Sequence, residues 1–211
     1  QKLVSTGQGR CTCSYYLKDG RNIIFSSTHL GGKDCPARPD FSKGYVWALY
    51  PDYDIFTAKS DGSGLKRLTT ENAYDAEATV SPDGKKIIFT SDRTGDLELF
   101  SMDVDGKNVK QLTNTPGYDG GAFYSPDNKM IVYRASHPKD ETTLKDYQNL
   151  LKQHLIRPTS LEIMVMNADG SNPRAIFTDN YVRAVTPAWT PDGQYIVVQR
   201  SQLPNGGAPG G

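Results

Sequence analysis

The 211-residue chain sets 24 Lys and Arg against 24 Asp and Glu, which excludes a general nucleic-acid or anionic-membrane binder while leaving room for a local patch. Apolar residues reach only 36%, and no apolar run approaches the roughly 18 residues of a membrane span. The 12 Tyr and 7 Phe weigh against disorder throughout, and 20 Gly with 13 Pro announce many turns.

Gln1 stands first, with no basic stretch leading into an apolar one, which reads as a processed mature chain or a piece of something longer. The first unit runs through Cys11 and Cys13 to the turn Leu17-Lys18-Asp19-Gly20 and the apolar run Ile23-Ile24-Phe25. It resumes at Tyr53-Asp54-Ile55-Phe56, turns at Asp61-Gly62 and ends at Leu68-Thr69. The second unit repeats the scheme: Ser81-Pro82-Asp83-Gly84, Ile87-Ile88-Phe89, Leu97-Glu98-Leu99-Phe100, Asp105-Gly106, Leu112-Thr113. The third begins with Ser125-Pro126-Asp127-Asn128 and Met130-Ile131-Val132-Tyr133, then continues at Leu161-Glu162-Ile163-Met164 and Asp169-Gly170. A fourth opens with Thr190-Pro191-Asp192-Gly193 and Tyr195-Ile196-Val197-Val198 before the chain closes in Gly206-Gly207-Ala208-Pro209-Gly210-Gly211.

Pro at the second turn position pre-sets φ, and the Gly or Asn after Asp accepts a left-handed backbone. Asp-Gly between strand-like runs is a hairpin signal. Each unit is therefore four short strands: A before the Ser-Pro-Asp-Gly turn, B after it, C before the second Asp-Gly, and D ending in Leu-Thr. Strand B is apolar on both faces, so its sheet must be covered on both sides. Four-stranded sheets recurring at about 44 residues and stacked face to face describe an all-β propeller.

The pattern of Ile-Phe, Asp-Gly, Leu-Thr and Ser81-Pro82-Asp83-Gly84-Lys85-Lys86-Ile87 resembles the WD40-like propeller repeat of the TolB family, with related repeats in prolyl-oligopeptidase-type propellers. The resemblance covers residues 1 to about 201 and leaves 202–211 as a Gly/Pro-rich tail or linker. Similar family members form six-bladed rings, so four A–B pairs and three C–D pairs look like about four blades of a larger ring. Gln1-Lys2-Leu3 matches the end of a strand D whose earlier strands lie outside the sequence.

Blades one and three exceed the period by about twenty residues, placing insertions at about 28–51 and 137–160, both after strand B. In the second, Leu144, Tyr147 or Gln148, Leu151 and Leu155 fall at helical spacing, which predicts a helix over Glu141 to His154 stopped near Arg157-Pro158. The first reads as irregular, with an aromatic run from Tyr45 to Tyr50. Starts of A, ends of B and both insertions share one face. Cys11, Asp75, Asp119 and Ala184 are equivalent by repeat, as are Cys13, Glu77, Gly121 and Thr186 two residues on, and a period of two places each pair on one side of its strand. His29, Arg93 and His137 are equivalent at the exit of B, with Arg134 nearby. If A is innermost, as the resemblance implies, Asp75, Glu77, Asp119, Arg93, Arg134, His29 and His137 ring one channel mouth and are the candidate binding residues. Asp75 and Asp119 have the alternative of bonding backbone at the strand start, and Arg93 that of pairing with a loop carboxylate.

Cys35, in the first insertion, is near enough in sequence to fold back on Cys11 or Cys13, so a disulfide is expected; buried thiols are the alternative. Cys11, Cys13, His29 and Cys35 match no common zinc spacing, and no metal or cofactor is expected. There is no Gly-x-Ser-x-Gly elbow, phosphate loop or dinucleotide fingerprint. Asp75, Glu77 and Asp119 could form a carboxylate pair for glycoside hydrolysis only if two oppose each other. The resemblance implies a non-catalytic, exported periplasmic or extracellular scaffold that binds envelope proteins, among them peptidoglycan-associated lipoprotein in relatives, or serves as a subunit of a larger membrane complex. The alternatives are a propeller accompanying a hydrolase outside this chain and a carbohydrate-active propeller.

Overall fold

Each Ser-Pro-Asp-Gly segment closes as its residues require. Ser81 Oγ donates to Asp83 Oδ1 at 2.6 Å and accepts from the Lys86 N–H at 2.9 Å. The last turn residue is left-handed each time: Gly20 at φ 63°, Gly84 at 77°, Asn128 at 62° and Gly193 at 70°. The structure, a computed structural model, describes residues 3–158, 161–178 and 182–202. The expected N-terminal strand end at Gln1-Lys2 and the tail from 203 lie outside the described residues.

The strands are β1 (Cys11–Tyr16), β2 (Asn22–Ser27), β3 (Trp47–Ala48), β4 (Asp54–Lys59) and β5 (Lys66–Arg67), then β6 (Asp75–Val80), β7 (Lys86–Ser91), β8 (Glu98–Asp103) and β9 (Lys110–Gln111). There follow β10 (Tyr118–Tyr124), β11 (Met130–Ser136), helix α1 (Glu141–Leu151), β12 (Leu155–Ile156), β13 (Glu162–Asn167), β14 (Arg174–Phe177), β15 (Val182–Trp189) and β16 (Ile196–Gln202). Among the described residues they form three antiparallel four-stranded sheets, β1-β2-β4-β5, β6-β7-β8-β9 and β10-β11-β13-β14, and the pair β15-β16. These are the A-B-C-D units of the sequence, three whole and one represented by A and B. No helix among the described residues is long and apolar enough to cross a membrane.

The sheets stack as propeller blades. Ile24, Ile55, Phe89, Phe100 and Met102 form one core between the first and second; Ile88, Leu99, Ile131, Tyr133 and Met166 form the next. Val132, Ile163 and Val165 meet Trp189 and Ile196 between the third and fourth. Each such side chain contributes about 1.5–3 kcal/mol by leaving water. The second Asp-Gly has a further reason to recur. A Cβ on Gly106 would lie 2.9 Å from the Leu68 carbonyl oxygen of the preceding blade, and one on Gly170 would lie 2.7 Å from that of Leu112. Gly62 approaches the Val4 carbonyl in the same way, at 2.8 Å. These glycines seat each blade on the strand D position of its predecessor. Strands β1, β6, β10 and β15 run beside one another at the inner edges of the blades and line the central channel.

The insertions depart from the sequence expectation. Helix α1 starts as predicted, with Asp140 and Thr143 forming a reciprocal cap, but it ends at Leu151 rather than His154. His154 adopts φ 55° and reverses the chain, so Leu155 enters β12 instead of the helix face, where Tyr147 and Leu150 are the buried residues. The first insertion contains a 3-10 turn at Phe41–Lys43 and then β3. β3 pairs with β12, Ala48 opposite Leu155 and Trp47 opposite Ile156, with the Leu49 N–H reaching the His154 carbonyl at 2.8 Å. The two insertions thus clasp each other, over a core that includes Leu49, Leu97, Tyr118, Tyr147 and Ile156.

Candidate functional site

The predicted residues sort into two layers. In the outer layer, strand A is locked to the exit of strand B. Asp75 is fully buried, and Arg93 Nη2 bonds both its carboxylate oxygens at 2.9 and 2.8 Å while Arg93 Nε donates to Ser91 Oγ at 3.0 Å. The guanidinium also lies over Phe89 and Phe100, 5.2 and 5.1 Å from their centroids. Arg93 therefore pairs with a strand carboxylate, not with a loop one. In the third blade the same two positions hold Asp119 and His137, with Nε2 and Oδ1 2.9 Å apart. Burial pushes both carboxyls up, and the facing Arg93 and His137 partly offset it. Burial alone would lower His137, but Asp119, with Glu162 and Glu98 adding to it, outweighs burial and the imidazole ends above its ordinary value. In the first blade the positions hold Cys11 and His29, which meet through Ser27 Oγ at 3.4 and 2.9 Å. Burial and then Arg67 lower His29. Ala184, the fourth equivalent, has no described side chain.

The inner layer overturns the period-two expectation. Each A–B ladder shifts register by a bulge, between Ala76 and Thr79 in the second blade and at the matching place in the others. The bulged residue is left-handed in three blades: Cys13 at φ 51°, Glu77 at 56° and Gly121 at 58°. The extra residue separates Glu77 from Asp75, which do not share a side. Glu77 Oε1 accepts from Arg134 Nη2 at 2.7 Å, and Oε2 accepts from the Thr90 hydroxyl, the Tyr118 hydroxyl and the Gly121 N–H at 3.0, 2.8 and 2.9 Å. Burial and then Glu77 hold the Tyr118 hydroxyl well above its ordinary value, so it remains a donor. The Arg134 guanidinium lies 5.7 Å from the ring centroids of both Trp47 and Tyr118.

Sequence reasoning missed Tyr118 and Gly120 as site residues, and had Trp47 only as a member of the aromatic run from Tyr45 to Tyr50. A Cβ on Gly120 would sit 2.3 Å from the Tyr118 hydroxyl and 2.4 Å from Glu77 Oε2; one on Gly121 would sit 2.5 Å from Arg134 Nε. Two adjacent glycines inside a strand were the available signal of a close approach.

Glu77 and Arg134 are the residues shared by two cavities. The larger, about 470 Å³, lies at the mouth beneath the first insertion and is lined by Arg10, Arg38, Tyr45, Trp47 and Tyr50 among others. The smaller, about 260 Å³, lies along the channel beside Cys13, Tyr15 and Phe123. Within the aromatic run, Val46 and Leu49 are buried while Tyr45 is exposed.

The cysteine expectation is corrected: Cys11, Cys13 and Cys35 are free thiols. Cys11 is engaged with Ser27 and Cys13 with the Thr12 hydroxyl at 3.3 Å, while Cys35 stands exposed. Burial pushes the Cys13 thiol up. Among the described residues no cluster of three His, Cys, Asp or Glu could hold a metal ion.

Comparison with known proteins agrees with this architecture. Puromycin hydrolase gives a TM-score of 0.60 at 15% identity, over 92% of this chain and 25% of its own. A protein designated TolB from Agrobacterium tumefaciens gives 0.57 at 20% identity, over 92% of this chain and 76% of its own. TolB from Acinetobacter baumannii gives 0.51 at 19% identity, over 75% of this chain and 37% of its own. At these identities the likeness shows the fold. The TolB beta propeller domain family matches residues 38–156, more than half of the sequence, and the chain belongs to that family.

Proposed function

We propose that this chain is a non-catalytic binding propeller of the cell envelope, an exported scaffold that holds a protein partner at the clasped mouth of its channel. The observation that carries this reading is the rim of that mouth. Phe41 and Tyr45 stack there, 50% and 43% exposed, on an insertion tied down by the β3–β12 clasp. Aromatic side chains on a rigid support are the usual anchors of protein interfaces. The ion pairs support the same reading over glycoside hydrolysis. Asp75, Glu77 and Asp119 each face their own cation, Arg93, Arg134 and His137, whereas hydrolysis needs two carboxyls facing one bond.

In this reading residues 1–201 form the propeller domain, the residues beyond it are a Gly/Pro-rich tail or linker, and the blades belong to a larger, six-bladed ring. Family membership supports placement in the periplasm or outside the cell. Isolation from the native source under mild conditions, with identification of stoichiometric companions, tests the proposal. The Phe41→Ser/Tyr45→Ser variant is expected to lose its companion while keeping its Tm. A solitary wild-type chain, or a companion retained by the variant, overturns it.

A further inference from the structure

The mouth cavity is rich in donors and poor in acceptors. Three arginines, Arg10, Arg38 and Arg134, line it against a single carboxylate, Glu77. That carboxylate is already spent on four donors. Arg134 sends both of its hydrogen bonds from Nη2, and its buried Nε meets no acceptor among the described residues. That Nε is packed against Gly121, so Arg134 gives the mouth positive charge, and the donors a ligand can reach are those of Arg10 and Arg38. Arg10 and Arg38 are exposed, and the Arg10 guanidinium rests 5.8 Å from the centroid of Tyr50. Around them stand the flat faces of Tyr45, Trp47 and Tyr50. A space of about 470 Å³ is the size of a small-ligand site, and too small for a folded partner.

We propose that this cavity binds a small organic acid: a ring or pair of rings, packed against the aromatic faces, carrying a carboxylate received by the arginine cluster. The chemistry is that of a ring-borne carboxylate, met in acidic sugars and in aromatic acids alike. Planar guanidinium groups suit carboxylates because two parallel N–H bonds match the two oxygens. The inference goes beyond the protein-scaffold reading and does not rest on it: Phe41 and Tyr45 line the cavity as well as its rim, but the titration below reads a small acid with no protein partner present.

Calorimetric titration of the whole chain with two acids and their neutral counterparts tests it: cellobiouronic acid against cellobiose, and 4-hydroxyphenylacetate against its amide. One acid is expected to bind with a Kd on the order of 0.1–1 mM and its neutral counterpart about tenfold more weakly or worse. The acid that binds identifies the source. Arg10→Ala/Arg38→Ala, at two exposed positions, is expected to lose about tenfold in affinity with unchanged Tm. Arg174→Ala, on β14, is expected to bind as wild type. Four results each overturn the proposal: no binding by either acid, equal binding of the neutral form, undiminished binding by the double variant, or equal loss in the Arg174 control.

Discussion

Glu77 and Arg134 meet at 2.7 Å across two blades, and Glu77 does so from a backbone conformation that L-residues avoid, φ 56°. Holding a non-glycine residue there costs about 1–3 kcal/mol. The bulge persists because the carboxylate it delivers collects one cation and three further donors. Its equivalent in the next blade is Gly121, whose missing side chain makes room for the same guanidinium. One repeat position thus supplies the acid in one blade and the space for its partner in another.

Gly121→Ala should therefore cost more than backbone strain alone. A Cβ there would lie 2.5 Å from Arg134 Nε, whereas Gly95, at φ 92°, has nothing within 4 Å of its Cβ position. Gly95→Ala is expected to lose about 1 kcal/mol and Gly121→Ala about 2–4 kcal/mol. Thermal unfolding of both variants checks this; equal losses would show that the guanidinium does not need the space.

Asp75 and Arg93 are predicted to act as a structural lock. Removing either partner leaves a charge with little access to water, at about 3 kcal/mol each. A double-mutant cycle with Asp75→Asn and Arg93→Leu should give a coupling of about 1–3 kcal/mol. The four unfolding free energies decide the matter, and additive losses would make the pair incidental.

The turns and strands were legible because their chemistry is local. Ser81-Pro82-Asp83-Gly84 and its copies place strands A and B, the second Asp-Gly places C and D, and the structure keeps those assignments. The clasp between β3 and β12 carried no such signal, being a two-residue ladder between distant insertions that neither insertion specifies alone. The bulge was hidden for another reason: Glu at positive φ contradicts local preference, so alternation predicted the wrong face for Glu77. The candidate residues were placed at one mouth by repeat alignment. Their pairing was not, because Glu77 and Arg134 stand 57 residues apart and meet only through the stacking of blades.

His137 should make stability fall as pH rises. Its folded value lies above the ordinary 6.5 because Asp119, Glu162 and Glu98 together outweigh burial. The stabilisation is full below 6.5 and is lost as pH climbs through the higher folded value. His137→Gln should then lower the Tm more at about pH 6 than at about pH 9. A deficit that grows toward alkaline pH would show that the imidazole is held neutral against Asp119.

Glu98, at the start of β8, was not singled out by the sequence, yet it titrates in the neutral range. Only 1% exposed, its carboxyl is pushed up to about 7 by burial, with the Thr113 bond working against the rise and Asp119 and Asp96 adding to it. A folded value above the unfolded 4.5 means that the fold favours the protonated acid. The associated stability is full below 4.5 and disappears as pH rises through about 7. Glu98→Gln keeps an oxygen for the Thr113 hydroxyl, which donates to Oε2 at 2.5 Å, and cannot ionise. Relative to wild type it is expected to gain about 1.4 kcal/mol between about pH 6 and pH 9, a Tm difference of a few degrees. Urea unfolding of both proteins at the two pH values measures the gain. A constant difference would mean that the buried carboxylate is as well solvated as a surface one, and that the Thr113 bond alone carries its charge.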